Sequence, residues 1–136
     1  MKLSARHGRW TYAILAALYF TGVAWLALRY GVRDDGLESA WSVARAWLLR
    51  AHGAAAMLTL VAIGSLLALH VPSGWRLRAN ARSGIGMLTA MSVLAVTGWL
   101  LYYASGEMLR AWSSWMHIAI GAAAPLTLLW HLAGRR

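Results

Sequence analysis

Cysteine is absent from this chain, which excludes disulfides, covalent c-type haem attachment, thiolate metal sites and Cys-ligated iron–sulfur clusters. Acidic residues are nearly absent too. There are four against thirteen basic ones, and charged residues make up 12% of the 136, about half of the roughly 25% usual in a soluble domain. No G-x-G-x-x-G or P-loop pattern is present to cradle a nucleotide. What the chain has instead is apolar bulk: 60% of its residues are hydrophobic and nine are Trp. The net charge of +9 sits beside apolar runs rather than along a soluble face, so it reads as a membrane-topology signal and not as a nucleic-acid footprint.

A bilayer core of about 30 Å needs about 20 apolar residues in a helix. Four runs meet this: Trp10 to Leu28, Ala51 to Val71, Gly84 to Tyr103 and Ala111 to Ala133. They lack the period-two alternation of barrel strands, so helices are the way to satisfy their backbone groups in lipid. The expected fold is an all-α membrane protein, an antiparallel four-helix bundle in which residues 1–136 form one transmembrane domain with no soluble domain left over. The first run is too long for a signal peptide, and no A-x-A site follows it.

Lys2, Arg6, Arg9, Arg76, Arg78, Arg82, Arg135 and Arg136 fall in the N-terminal segment, the second loop and the tail. Positive segments stay inside, so both termini are expected in the cytoplasm. Asp34, Asp35, Glu38 and Glu107 occupy the other two loops, nearly balancing Arg29, Arg33, Arg45, Arg50 and Arg110. Trp10, Tyr12, Trp75 and Trp130 then mark the inner interface; Trp25, Tyr30, Trp47, Trp99, Tyr102, Tyr103, Trp112 and Trp115 mark the outer one. The segment Glu38 to Arg50 is expected to lie along the outer interface before the second span descends, with Ser39 or Ser42 as its cap.

Of the five His residues, His7 lies in the basic N-terminal segment and is expected to face solvent or headgroups, without a role. The other four fall in two spans: His52 and His70 in the second, His117 and His131 in the fourth. At 100° per residue, a separation of 18 gives five whole turns and a separation of 14 falls about 40° short of four, so each pair shares one helix face. Polar residues within a span are costly and mark pathways or cofactors. The outer pair His52 and His117 and the inner pair His70 and His131 are suited to bis-axial ligation of two b-type haem irons between the second and fourth spans. At about 1.5 Å per residue the ligands lie about 27 Å apart on the second span and about 21 Å apart on the fourth. Tilt, or a kink at Pro125 relieved by Gly121, is expected to absorb the difference.

Arg45 precedes His52, and Arg110 precedes His117, by seven residues, within about 20° of two full turns. Each Arg is thus placed above its His, toward haem propionates. Arg76, Arg78, Arg82 and Arg135 are the inner-side counterparts without that registry. Gly22, Gly53, Gly64, Gly84, Gly86, Gly98 and Gly121 supply room for a flat macrocycle or for close helix packing.

Two helices each bearing two His within four spans resemble the di-haem membrane cytochromes b. These include the bacterial cytochrome b561-like proteins and the four-helix haem-binding half of the quinol-oxidising cytochrome b. The resemblance covers nearly the whole chain. It implies electron transfer across a bacterial inner membrane through two non-covalent haems b, with quinone and a partner redox protein or subunit as donor and acceptor. It leaves open whether the chain is itself a quinol/quinone oxidoreductase and whether it forms an oligomer. Two other classes stand beside it: a His-based transition-metal transporter, for which ligands so far apart cannot serve one ion, and a cofactor-free membrane anchor. No charged residue lies deep within a span to relay protons, so surface carboxylates such as Glu107, Asp34, Asp35 and Glu38 are the candidate proton partners of quinone chemistry.

Overall fold

The computed structural model describes residues 5–32, 40–69 and 81–133, all helical but for short ends and one connection. The helices are α1 (Ala5–Gly31), α2 (Ala40–Leu69), α3 (Ala81–Tyr103) and α4 (Glu107–Ala133). All four are long and apolar enough to cross a membrane. Their lengths of 27, 30, 23 and 27 residues correspond to about 35 to 45 Å at about 1.5 Å per residue, beyond the hydrocarbon core of about 30 Å.

The chain divides into two compact units, residues 1–72 and 73–136. In the first, α1 packs along α2; in the second, α3 packs along α4. Each is an antiparallel hairpin. In the second, the connection is Ala104–Gly106, short enough to dictate that direction. Its ends are closed by backbone bonds: the Ala104 amide donates to the Leu100 carbonyl at 2.9 Å, ending α3, and the Arg110 amide donates to the Gly106 carbonyl at 3.0 Å, starting α4. Glu107 then stands in the first turn of α4, where the helix dipole favours a carboxylate.

What is buried within these hairpins is small. Ala55, Thr59, Ser83, Thr97 and Ser113 are the buried residues described, whereas Leu, Trp, Tyr and Met side chains line the outside. Lipid is as apolar as Leu, so no hydrophobic force draws large side chains inward; close approach through small residues holds the helices together. Two of the hydroxyls that this approach buries bond backward along their own helices, Thr59 to the Ala55 carbonyl at 2.8 Å and Thr97 to the Val93 carbonyl at 2.7 Å.

One expectation is corrected here. Residues 40–50 do not form a separate interfacial segment; they are the first turns of the continuous α2. Ala, Leu and Arg in this stretch carry the helix straight into the span, and neither Gly nor Pro interrupts it before His52. Ser42 is therefore interior to the helix, not its cap, while Ser39 lies outside the described residues. Helix α4 holds Pro125 within it, as the sequence places it.

Candidate functional site

His52 projects from α2 toward α1 and is half-buried. Its Nδ1 lies 3.0 Å from the Leu18 carbonyl oxygen and 3.2 Å from Thr21 Oγ1. A carbonyl can only accept, so Nδ1 carries the hydrogen and, in the neutral ring, the lone pair is on Nε2. The Thr21 hydroxyl meanwhile donates to the Ala17 carbonyl at 2.7 Å. The ring lies against the next residue, Gly22, where a Cβ would come within 2.9 Å of His52 Cε1.

The second hairpin repeats the arrangement twice. His117 Nδ1 lies 2.9 Å from Oγ1 of the buried Thr97, whose hydroxyl donates to the Val93 carbonyl at 2.7 Å. The ring sits 3.4 Å from where a Cβ on Gly98 would be. Fourteen residues further along α4, His131 Nδ1 lies 3.1 Å from Oγ of the buried Ser83, with Cε1 3.7 Å from a Cβ built on Gly84. Three His residues are thus each held by a hydroxyl on the neighbouring helix, with a Gly immediately after it giving the ring its space.

His7 departs from its expected solvent-facing place. It is half-buried on α1, with Nε2 3.2 Å from Ser65 Oγ on α2, and Ser65 donates to the Ala62 carbonyl at 2.7 Å. The first hairpin therefore carries His at two levels: His7 opposite Ser65, and His52 opposite Thr21. Moving 14 residues along α1 moves 13 back along α2, so the levels are about 20 Å apart. In the second hairpin the levels are 14 residues apart on both α3 and α4, about 21 Å.

Of the other residues singled out from the sequence, Arg45 and Arg110 are on helices that run unbroken to His52 and His117; Arg45 is half-buried and Arg110 exposed. Arg82 is exposed on α3. His70, Arg76, Arg78, Arg135, Asp34, Asp35 and Glu38 lie outside the described residues.

The partners Thr21, Ser65, Ser83 and Thr97 were not expected from the sequence, although a signal for them is present. Four neighbouring pairs of Gly with Ser or Thr occur within the described helices, at 21–22, 64–65, 83–84 and 97–98, and the hydroxyl of each meets a His across its hairpin.

Four apolar helices, three of which carry His residues hydrogen-bonded to the neighbouring helix of their own hairpin, define an integral membrane protein. Compared with family models, curated proteins and solved structures, the chain matches none.

Proposed function

We propose that this protein is a di-haem cytochrome b that carries electrons across a bacterial inner membrane as a four-helix bundle with both termini in the cytoplasm. The observation that supports this reading best is the repeated mounting of His52, His117 and His131, each with Nδ1 engaged by the neighbouring helix and a Gly beside the ring.

The residues fit the group. Ligating His residues characteristically donate their second ring nitrogen to an oxygen, which fixes orientation and raises basicity. The Gly positions form recesses that a side chain would fill. Absence of Cys leaves non-covalent binding through imidazole, and two neutral imidazoles per iron are the donor set of a low-spin b-type centre. When bound, each haem supplies a one-electron ferric/ferrous couple.

The chain's own residues then divide the work. His52 and His117 would hold the outer iron and His131 the inner one, whose second ligand would be His70, as the sequence spacing has it, or His7, whose 14-residue separation from Thr21 equals that of His117 from His131. Arg45 and Arg110 offer charge-assisted bonds to outer propionates. The apolar helices keep water from the couples, and quinone and a partner redox protein or subunit deliver and remove electrons at the surfaces.

Pyridine haemochrome analysis of detergent-purified protein, read with a reduced-minus-oxidised spectrum, tests this. A haem-to-protein ratio near two with low-spin b-type bands is expected; zero under haem-replete expression returns the His residues to packing or metal binding. The recess at Gly22 gives a second test. Gly22→Ala places a Cβ 2.9 Å from His52 Cε1, so the ring must leave its place, and the ratio is expected to fall toward one. Gly31→Ala, whose Cβ meets nothing within 4 Å, serves as the control that keeps two.

A further inference from the structure

We propose that Thr97 is a positioning residue that favours one tautomer of His117, as the Leu18 carbonyl with Thr21 beside it does for His52, presenting Nε2 as the electron-pair donor and lowering the reduction potential of the centre these residues support. The potential part of this inference rests on the haem reading; the tautomer part does not.

The argument begins with the proton count. A Thr hydroxyl has one hydrogen, and in both helices it is committed to a carbonyl four residues back, at 2.7 Å in each case. What remains on Oγ1 is acceptor capacity. At His52 the assignment is independent of the hydroxyl, because the Leu18 carbonyl at 3.0 Å demands an Nδ1–H. The same ring nitrogen faces Thr21 Oγ1 at 3.2 Å. His117 presents that nitrogen to Thr97 Oγ1 at 2.9 Å, a shorter contact of the same kind, on a Thr with only 5% of its surface exposed. In a lipid-surrounded helix pair an acceptor 2.9 Å from Nδ1 stabilises the hydrogen on that nitrogen, so Thr97 favours the Nδ1–H tautomer. An Nδ1–H that donates to oxygen makes the imidazole more basic, and a more basic ligand favours ferric over ferrous iron.

Thr97→Val keeps the shape and removes the Oγ1 acceptor, whereas Thr97→Ser keeps a hydroxyl acceptor there. With the inner centre removed by His131→Ala, so that the outer haem titrates alone, Thr97→Val is expected to raise its potential by about 59 mV, a tenfold change in the ferric/ferrous ratio, and Thr97→Ser to leave it near wild type. Thr21→Val keeps the Leu18 carbonyl on His52 and is expected to shift it less. Side-chain 15N spectra of the haem-free full-length protein in detergent give a readout that needs no haem. His117 is expected as the Nδ1–H tautomer in wild type and Thr97→Ser, and to lose that form in Thr97→Val. An unchanged tautomer in Thr97→Val overturns the proposal, whether or not the variant takes up haem. An unchanged potential overturns its electronic part. If wild type binds no haem, the functional reading falls while the tautomer measurement still decides the role of Thr97.

Discussion

His117→Ala lowers the haem-to-protein ratio from two to one, His52→Ala does the same, and the double variant also stops at one. This is the expected result if both nitrogens serve one iron, because a bis-His centre that loses either axial ligand loses the donor set that holds it non-covalently. The effects must then be non-additive: once one ligand is gone, removing the second costs nothing further in occupancy. Pairing His52→Ala with His131→Ala, by contrast, should empty both centres. Alanine at either position is tolerated by the helix, since Ala is the best helix former and both sites lie within unbroken helices. Loss of haem is thus separable from loss of fold by circular dichroism of the same preparations. A double His52→Ala, His117→Ala variant with no haem at all would falsify the pairing.

The helices were legible because bilayer thickness and hydropathy leave few choices: four runs of adequate length gave four helices. Their ends were less legible. Ala81 to Ser83 and Glu107 to Arg110 carry polar side chains that hydropathy discards, yet the backbone continues helical through them. The same discount hid residues 40–50, where Ser42, Arg45 and Arg50 are interfacial in composition but helical in propensity.

The His residues of the site were legible one helix at a time, through angular periodicity. Their partners were not, because which hydroxyl meets which ring is a property of the register between two helices. Thr21 lies 31 residues from His52 in sequence, and Ser83 lies 48 from His131. Charge composition also misdirected the reading of His7: Arg6 and Arg9 flank it and suggest headgroups, but both are exposed while His7 turns inward to Ser65. On a helix, neighbours one and two residues away point elsewhere, so the company a residue keeps in sequence does not fix its face.

That register bears on the inner ligand, for which His7→Ala is expected to remove one haem and His70→Ala to leave two. On the proposed reading, two irons that each took one ligand from either hairpin would need like ligand separations in both. His117 and His131 are 14 residues apart; Thr21, at the level of His52, is 14 residues from His7. Both separations correspond to about 21 Å along α4 and α1. With His70 the corresponding separation is 18 residues, about 27 Å, and the extra 6 Å has to be found in tilt. His7 has a further requirement of its own. Its Nε2 faces Ser65 and donates to an oxygen whose hydrogen is already given to Ala62, so the neutral ring carries its lone pair on Nδ1, and ligation through Nε2 calls for a turn of the side chain. Ser65→Ala removes that competing contact and is expected to keep both haems. Loss of a haem in His70→Ala with two retained in His7→Ala restores the pairing read from span periodicity alone, and two haems in both variants removes the inner bis-His centre from the proposal altogether.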